Sequence, residues 1–354
     1  MADFRRVEDM KKLGIIFGGQ STEHDVSIMS AASIIKNLDK TKYDITQIYI
    51  SKDGNWNIHN KIIDNPEVGE RLTDLTKIDN VMEELRKLDV LFPVLHGKNG
   101  EDGTIQGFFE LIGVPYVGCR VLSSSLGMDK AYTKVIFEKA KINQAPYVYI
   151  RKGKDKYIYV DSEFNETIFT LDEVSQLISE KIKFPMFVKP SNSGSSVGIN
   201  KSKNVQDLKE NIAYASKFDN KIIIEEGLVG RELECSVLGN EEVVASCVGE
   251  IIPADEFYSF DAKYINNTSK GIAKADIKQE HSEEIRRLAI KAFKAIDGKG
   301  LARVDFFLDE AKNKIYINEI NTLPGFTQIS MYPKMWEESG ISYKELLEKI
   351  IDLA

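Results

Sequence analysis

The feature that most restricts how this chain can fold is a pair of apolar runs near its C-terminus. Residues 301–308 and 315–320 have the composition of strands, and the polar residues 309–313 between them suit the turn of a β-hairpin. Their alternation of apolar and polar residues is common in antiparallel sheets with one buried face. We therefore expect an antiparallel sheet in this part of the chain.

The polar residues of this hairpin are of the types that bind a hard metal ion. Side chains alternate between the two faces of a strand, so Arg303 and Asp305 share a face, and Glu319 and Asn321 share a face. If these faces coincide, their oxygen atoms suit Mg²⁺ and the nucleotide phosphates it usually holds. The alternative is an ordinary half-exposed hairpin. The Pro-Gly turn at Gly325 favours the metal site, because it aims backbone N–H groups beside the carboxylates.

Length and composition predict a globular protein of two or three domains. The 354 residues exceed one ordinary core, and 42% hydrophobic with 29% charged residues is typical of soluble proteins. The formal net charge of −8 comes from 47 basic and 55 acidic residues. This balance argues against nucleic acid or an anionic membrane as the main partner.

We expect neither a membrane-spanning segment nor a disulfide framework. The charged start has no apolar region behind it, and no apolar run approaches the roughly 20 residues that span a bilayer. Cys119, Cys235 and Cys247 lack metal or redox spacing. Buried free thiols in a reducing cytoplasm are the simplest interpretation.

Two glycine-rich turns follow strand-like runs in the first third of the chain. Residues 13–17 lead into the turn 18–25, and residues 89–95 lead into the turn 96–103. A helix follows each turn, as in an α/β unit whose active groups collect beyond the carboxyl ends of the strands. Neither turn matches the dinucleotide fingerprint, so a Rossmann NAD site is not predicted.

A loop rich in serine and glycine, residues 189–198, follows another strand-like run. Its backbone N–H groups and hydroxyls can hold phosphate oxygens, with Lys189 and Lys130 as point charges. The spacing is not that of a P-loop. The alternative is a flexible surface loop.

The remaining pattern predicts several elements and one lid. Predicted elements are a helix over residues 123–140, strands over 147–150, 186–189, 221–225, 232–238 and 243–251, and a helix over 343–353. Residues 255–274 are aromatic, polar and aperiodic, which is typical of a functional lid or of a surface meander.

Taken together, these stretches resemble the D-alanine–D-alanine ligase family of the ATP-grasp superfamily, from about Leu13 onward. The motifs occur in the order of the family: GGQSTEHDVS, HGKNGEDGT, MDK, KPSNSGSSVG, IIEEGLVGRELE, FYSFDAKY, ARVDFF and NEINTLPGFT. Each motif alone is only suggestive, but the ordered set is highly specific. One departure is Glu226, where many members carry lysine, so backbone groups alone would contact the adenine ring there.

The resemblance implies an α/β fold made of three α+β domains, the ATP-grasp architecture. It implies an N-terminal open parallel α/β substrate domain over residues 1–118 and a central ATP-grasp domain over 119–228. A C-terminal ATP-grasp domain with the lid and the metal site would follow over 229–354. ATP would lie between the central and C-terminal sheets.

The resemblance also implies a role for each matching position. ATP would be bound by Lys130, Lys189 and Lys263 at its phosphates and by Glu225, Leu228 and Glu232 at adenine and ribose. Two Mg²⁺ or Mn²⁺ ions would be bound by Asp305, Glu319 and Asn321. Glu23 would bind the ammonium group of the first D-alanine, with Ser195 and Tyr264 hydrogen-bonded to it. Arg303 and the Gly325 amide would stabilise the oxyanion, while His96, Ser330 and Met331 would contact substrates.

The activity implied is ATP-dependent joining of two D-alanines through an acyl phosphate, for cell-wall peptidoglycan precursors. It would be performed in the cytoplasm by a homodimer with no nucleic-acid or membrane partner. Two alternatives stay open: a ligase joining D-alanine to D-serine or D-lactate, and a nucleotide-binding sensor without turnover. Tyr264 within FYSFDAKY, and Met331 where the D-serine branch carries arginine, favour D-alanine as the second substrate.

Overall fold

The computed structural model describes residues 10–252 and 270–354, which form three β-sheets in three successive parts of the chain. The N-terminal sheet contains β1 (Lys11–Gly18), β2 (Tyr43–Ile50), β3 (Trp56–His59), β4 (Leu75–Lys77) and β5 (Val90–Val94), in the order β4-β3-β2-β1-β5. Strands β2, β1 and β5 are parallel, which confirms the predicted parallel unit. The antiparallel edge strands β3 and β4 were not predicted.

The parallel arrangement brings the two glycine-rich turns together. Strands β1 and β5 are neighbours, so the turns that follow them lie at the same edge of the sheet. Both strands are buried along nearly their whole length, which explains their uninterrupted apolar sequences. The helices of this region are α1 (His24–Asn37), α2 (Val81–Leu85) and α3 (Thr104–Ile112).

Two helices connect the first sheet to the second, where one was predicted over residues 123–140. They are α4 (Val121–Met128) and α5 (Lys130–Lys139), and the single-helix prediction is wrong at Asp129. Asp129 has an extended backbone and its side chain accepts a hydrogen bond from the amide of Tyr132. An aspartate in this role caps a new helix instead of continuing the old one.

The central sheet is antiparallel and divides its two faces sharply. It contains β6 (Tyr147–Lys152), β7 (Tyr157–Val160), β8 (Glu166–Phe169), β9 (Met186–Pro190), β10 (Asn200–Ser202) and β11 (Lys221–Glu226), in the order β10-β9-β11-β6-β7-β8. Helices α6 (Leu171–Lys181) and α7 (Val205–Ala215) contribute to the core on one face. Apolar residues of β9 and β11 alternate into that core, so the residues between them point to the opposite face.

The C-terminal sheet contains the predicted hairpin at its edge. Its strands are β12 (Arg231–Leu238), β13 (Val244–Ile252), β14 (Lys270–Ile272), β15 (Leu301–Asp309) and β16 (Lys314–Asn321), in the order β14-β13-β12-β15-β16. Strands β15 and β16 are antiparallel, as predicted. Helix α8 (Gln279–Ala295) packs against one face of this sheet.

The predicted lid, residues 255–274, lies mainly outside the described residues. Near its end, Lys270–Ile272 forms an edge strand that pairs with β13, although no strand was predicted there.

The chain ends by returning to the first sheet. Helices α9 (Met331–Glu338) and α10 (Tyr343–Asp352) complete the described elements. Their apolar residues share one core with α1 and the N-terminal sheet, including Phe17, Ile34, Trp336 and Ile350. No helix within residues 10–252 and 270–354 is long and apolar enough to cross a membrane. Cys119 and Cys235 are buried free thiols, as predicted, whereas Cys247 is only half-buried.

Candidate active site

A cavity of about 560 Å³ lies where the three sheets face one another. Every predicted site residue that the structure describes lines it: Glu23, His96, Lys130, Lys189, Ser195, Glu225, Leu228, Glu232, Arg303, Asp305, Glu319, Asn321, Gly325, Ser330 and Met331. The other two predicted positions, Lys263 and Tyr264, lie outside the described residues. Residues separated by about 300 positions in sequence therefore share one cavity.

The central sheet contributes the cations of this cavity. Phe187 and Lys189 of β9 lie on the face opposite the apolar core, and Glu225 of β11 lies directly beside Phe187. Helix α5 covers this face and adds Lys130 and Lys134, which are one helical turn apart. We call Lys130, Lys134 and Lys189 the cationic wall.

One buried carboxylate links two members of the cationic wall. Lys134 Nζ lies 2.5 Å from Glu225 Oε1, and the Lys189 ammonium binds the other oxygen of Glu225. Burial alone raises the pKa of Glu225, but the two lysines outweigh burial and lower its pKa to about 2. The carboxylate is therefore ionised at neutral pH. Burial opposes the charge of Lys189 too, yet Glu225 and other carboxylates raise the pKa of Lys189.

The start of α5 is fixed to the central sheet by a polar network around Asp129. The Lys221 ammonium lies 2.5 Å from one Asp129 oxygen, and the Ser191 hydroxyl donates to the other at 2.6 Å. This network places Lys130 so that its Nζ donates to the Ser193 carbonyl at 2.7 Å. Lys130 Nζ is also 3.7 Å from Glu319, across the cavity.

The linker after β11 has limited backbone capacity for a ligand. The Glu226 amide donates to the Pro146 carbonyl at 2.9 Å, and the Gly227 amide donates to the Pro185 carbonyl at 2.7 Å. These two donors are engaged within the protein. A backbone contact to a ligand must therefore come from Leu228 or from the linker carbonyls.

The C-terminal sheet contributes carboxylates. In the hairpin, Arg303 pairs with Asn321 and Asp305 pairs with Glu319, so the two polar faces coincide as predicted. On the other side of β15, Asp305 pairs with Glu234 of β12. We call Glu232, Glu234, Asp305 and Glu319 the carboxylate wall.

A β-bulge makes this arrangement possible. The register of the hairpin shifts after Asp305, so Phe306 pairs with Ile317 and Asn318 is the extra residue. Strict alternation would place Glu319 on the same face as Ile317. The bulge lets Ile317 and Ile320 both enter the core while Glu319 turns to the cavity.

Arg303 holds the carboxylate wall together. It donates two hydrogen bonds of 2.7 Å to the two oxygens of Asp305, and its Nε lies 3.3 Å from Glu234. A bidentate guanidinium–carboxylate pair is both strong and directional. The guanidinium thus compensates carboxylates that would otherwise repel one another.

The composition of the cavity suits divalent cations. Eight carboxylates and only five lysine or arginine side chains line it among the described residues, so a bound polyphosphate requires additional positive charge. Asp305, Glu319 and Asn321 offer the oxygen atoms that Mg²⁺ prefers. No group of three His, Cys, Asp or Glu side chains within the described ranges is arranged for a metal. An ion at Asp305 must also compete with Arg303.

The N-terminal turns close the cavity around Glu23. The Ser195 hydroxyl donates to one Glu23 oxygen, which joins the serine-rich loop to the first turn as predicted. A methyl group on Gly97 would lie 2.6 Å from the other oxygen, and one on Gly194 would lie 3.2 Å from it. Gly97 also has a φ of +73°. Glycine at these positions is what lets two loops approach the carboxylate so closely.

His96 is buried beside this carboxylate with partners on both ring nitrogens. Its Nδ1 lies 3.2 Å from the Leu323 carbonyl and 3.5 Å from Glu101, and its Nε2 lies 3.2 Å from the Ser30 hydroxyl. Burial opposes the charged form of the ring. The hydrogen bond and charge of Glu101, with a contribution from Glu23, outweigh burial and raise the pKa of His96.

Ser330 and Met331 lie at the start of α9. The Ser330 hydroxyl accepts a hydrogen bond of 2.9 Å from the Thr327 amide, which shapes the turn after Gly325. Met331 is 6% exposed and packs on two glycines of neighbouring strands. A methyl group would lie 2.5 Å from its Cε at Gly249 and 2.7 Å from its Sδ at Gly271.

Sequence reasoning missed several cavity residues, among them the charged residues Lys134, Glu234 and Glu101. Lys134 follows Lys130 by four residues on a helix, and Glu234 follows Glu232 by two residues on a strand. Both spacings place the later residue on the same face as a predicted one. Glu101 had no comparable signal, because its turn has no periodicity.

Comparison with known proteins identifies the family of this chain. Family models described as D-ala D-ala ligase N-terminus and C-terminus match residues 12–119 and 136–352. A D-alanine–D-alanine ligase of Acetivibrio thermocellus is 53% identical, with 98% of this chain and 96% of that protein aligned. Another, from Ruminiclostridium cellulolyticum, is 47% identical, with 97% and 95% aligned.

Solved structures share the same architecture. The VanG D-Ala:D-Ser ligase from Enterococcus faecalis matches with a TM-score of 0.83 and 35% identity over 97% of this chain and 99% of that one. The D-alanine-D-alanine ligase from Coxiella burnetii matches with a TM-score of 0.78 and 32% identity over 98% and 94%. Enzymes named for different second substrates thus have this fold. The two family models, which together match most of the chain, and relatives that are aligned over nearly their whole length establish that the chain belongs to the D-alanine–D-alanine ligase family.

Proposed function

We propose that this protein joins two D-alanines to D-alanyl-D-alanine with ATP, through an acyl phosphate, for peptidoglycan precursor synthesis. The observation that carries the proposal is the cavity in which the cationic wall faces the carboxylate wall and Glu23 closes a third side. This arrangement supports phosphoryl transfer, because the reaction needs cations at the phosphates and an anion at the substrate amine.

The cationic wall and the adjoining linker would bind ATP. Lys130 and Lys189 would contact the phosphates, since both line the cavity and Lys130 Nζ donates to a carbonyl of the serine-rich loop. Glu225 and the Leu228 backbone would contact adenine, with Glu232 at the ribose hydroxyls. Lys263, outside the described residues, would add a third phosphate contact.

The carboxylate wall would bind the metal ions. Asp305, Glu319 and Asn321 would hold two Mg²⁺ or Mn²⁺ ions, which offset the negative charge of the transferring phosphoryl group. The excess of carboxylates in the cavity supports this proposal.

The first D-alanine would lie between Glu23 and His96. Glu23 would bind its ammonium group, with Ser195 and Tyr264 holding that carboxylate in place. A protonated His96 would attract the substrate carboxylate. That carboxylate attacks the γ-phosphorus of ATP, and ADP leaves.

The second D-alanine would then attack the acyl carbon with its amine. The tetrahedral oxyanion would be stabilised by Arg303 and the Gly325 amide, and phosphate leaves when the intermediate collapses. Ser330 and Met331 would line the second site. Water has to be excluded, because it would hydrolyse the acyl phosphate.

D-Alanine is the proposed second substrate because Met331 is apolar and buried. It suits a methyl group and would leave a serine hydroxyl poorly paired, at a cost of about 1–3 kcal/mol. This cost corresponds to roughly a five- to hundredfold preference over D-serine. D-Serine and D-lactate as second substrates are the alternatives, and a sensor without turnover is a third.

Competition between substrates tests this proposal. With equal D-alanine, D-serine and D-lactate, mass analysis should find mainly D-alanyl-D-alanine, and Met331→Arg should shift the product toward D-alanyl-D-serine. Met331→Leu is the control, because it keeps an apolar side chain of similar volume. A wild-type product dominated by D-alanyl-D-serine or a D-lactate ester rejects the substrate assignment, and ATP binding without turnover supports the sensor.

Further proposals concern the domain boundaries, the cellular location and the oligomeric state of the protein. The three domains would cover residues 1–118, 119–228 and 229–354, each containing one of the three sheets. The protein would act as a cytoplasmic homodimer without nucleic-acid or membrane partners. Light scattering of the eluting protein tests the dimer, since a molar mass near that of the 40.0 kDa chain would contradict it.

A further inference from the structure

Lys134 is a buried lysine in the cavity to which the proposed function gives no role. Its side chain is 4% exposed, lies 2.5 Å from Glu225 and stands 5.5 Å from the centre of the Tyr147 ring. It belongs to α5, whose first turn is anchored to the central sheet through Asp129. Lys134 therefore has a defined position beneath the cavity.

Glu225 is shared between two ammonium groups. Lys134 binds one of its oxygens and Lys189 binds the other. This trio joins two lysines to one carboxylate, and each of the three side chains is at most 14% exposed. Burial lowers the pKa of Lys134, and the charge of Glu225 opposes that shift. A buried charge is tolerated only while it keeps a partner. Glu225 can thus lose one of its two lysines and remain paired, but it cannot lose both.

We propose that Lys134 is a positioning residue for nucleotide binding: it keeps Glu225 paired, so that Lys189 can leave Glu225 for a nucleotide phosphate. The proposal rests on the proposed function, in which Lys189 contacts ATP. It accounts for the pairing of Lys189, a proposed phosphate contact, with a buried carboxylate.

The reason lies in the change of partners on binding. Without Lys134, the movement of Lys189 to a phosphate would strand the Glu225 carboxylate in a buried position, so Lys189 would stay with Glu225. With Lys134 in place, Glu225 keeps an ion pair in both states. Lys134 also leaves the trio with one surplus positive charge, which attracts a polyanion.

The test compares two ligands that share a base and differ in phosphates. Calorimetry of the full-length protein gives the affinities for ADP and adenosine. Lys134→Met should lower the ratio of ADP to adenosine affinity about tenfold or more. Lys134→Arg, which retains a charged donor, should keep the wild-type ratio. In kinetic assays, Lys134→Met should raise the KM for ATP more than it lowers kcat.

A matched control separates this role from simple loss of a buried ion pair. Arg231→Met removes a bidentate pair with Glu250 in the C-terminal sheet, and Arg231 is not among the described residues that line the cavity. It should lower stability but leave the ratio of ADP to adenosine affinity unchanged. If Lys134→Met and Arg231→Met change the ratio equally, the role is structural and the proposal is wrong.

A double variant keeps the proposal testable if Lys134→Met folds poorly. Lys134→Met with Glu225→Gln removes the carboxylate that would retain Lys189, so the ratio should return toward the wild-type value. An unchanged low ratio in the double variant would overturn the proposal. Wild-type protein that binds neither ADP nor ATP would contradict the proposed function itself, whereas nucleotide binding with an unchanged Lys134→Met ratio would contradict only the role of Lys134.

Discussion

The two walls of the cavity have opposite charge surpluses and the same internal design. In the cationic wall, Lys134 and Lys189 share a single carboxylate, Glu225, whereas Lys130 contacts the Ser193 carbonyl and Glu319. In the carboxylate wall, Asp305 and Glu234 share a single guanidinium, Arg303. In each wall, one minority charge joins two side chains of like charge that would otherwise repel one another.

This difference indicates what each wall is prepared to bind. A wall with surplus positive charge attracts phosphates, and a wall with surplus negative charge attracts divalent cations. Lys130 Nζ lies 3.7 Å from Glu319, which shows that the two surpluses meet across the cavity. ATP with its metal ions would satisfy both walls at once.

The largest expected effect follows from removing one charge of the carboxylate wall. Glu319→Gln keeps the shape of the side chain but weakens the proposed metal site, so ligation should fall roughly 100-fold or more. The Mg²⁺ concentration for half-maximal activity should also rise, which a Mg²⁺ titration of dipeptide formation measures.

The control for Glu319→Gln is Glu310→Gln in the exposed turn of the same hairpin. It should retain wild-type activity and Mg²⁺ dependence. Normal turnover of Glu319→Gln at low Mg²⁺ would remove Glu319 from the metal site and the carboxylate wall from its proposed role.

The next effect concerns Arg303, the positive charge within the carboxylate wall. Arg303→Met leaves Asp305 and Glu234 without their guanidinium and should lower the free energy of unfolding by about 3 kcal/mol. Mg²⁺ should stabilise this variant more than the wild type, because the ion no longer competes with Arg303 for Asp305. Urea unfolding with and without Mg²⁺ measures both effects.

Glu225→Gln makes the corresponding change in the cationic wall, because it removes the carboxylate that the lysines share. It leaves two lysines without their shared carboxylate, so tripolyphosphate, not Mg²⁺, should stabilise it more than the wild type. If both ligands stabilise both variants equally, the two walls do not differ in the way their charges suggest.

A smaller effect concerns the third side of the cavity, where shape matters more than charge surplus. Gly97→Ala should displace Glu23 and raise the KM for D-alanine about tenfold, equivalent to about 1.4 kcal/mol. Gly113→Ala is the matched control, because Gly113 has a φ of +71° and no atom within 4 Å of the added methyl group. Both variants carry the same backbone strain, so equal KM values would exclude a steric role of Gly97.

The smallest expected effect is a pH dependence of stability that involves His96, on the third side of the cavity. The pKa of His96 is raised above its ordinary value, so the stability it contributes is present at low pH and is lost as pH rises through the folded-state pKa. Glu101→Gln should lower the pKa of His96, measured by NMR titration with His96→Gln for assignment. The stability difference between wild type and Glu101→Gln should shrink as pH rises through that pKa. An unchanged titration would show that Glu101 does not hold the charge of His96.

Much of the fold was predictable because its strands have simple patterns. The parallel strands appear as uninterrupted apolar runs, and the hairpin over residues 301–320 alternates as a half-buried strand pair should. The bulge at Asn318 was not predictable, because an extra residue leaves no signal in a period of two. It is nonetheless what turns Glu319 toward the cavity.

In the candidate site, many of the residues were predictable from the sequence but their ion pairs were not. Its residues were predicted from motifs, and the structure brings the described ones into one cavity. The motifs did not reveal that Lys189 is already bound to Glu225, nor that Lys134 shares that carboxylate. Such pairings depend on how a helix packs on a sheet, which no single segment encodes. The break of the predicted helix at Asp129 is of the same kind, because the cap is also an anchor to Lys221.

The most direct test follows an oxygen atom from the substrate to phosphate. If the two walls place the γ-phosphate of ATP against a substrate carboxylate, D-alanine labelled with ¹⁸O in both carboxyl oxygens should transfer one of them to phosphate. Mass spectrometry should find one ¹⁸O in each phosphate released, with one dipeptide formed per ATP consumed. Unlabelled phosphate would mean that water attacks ATP, and it would contradict an acyl phosphate in this cavity.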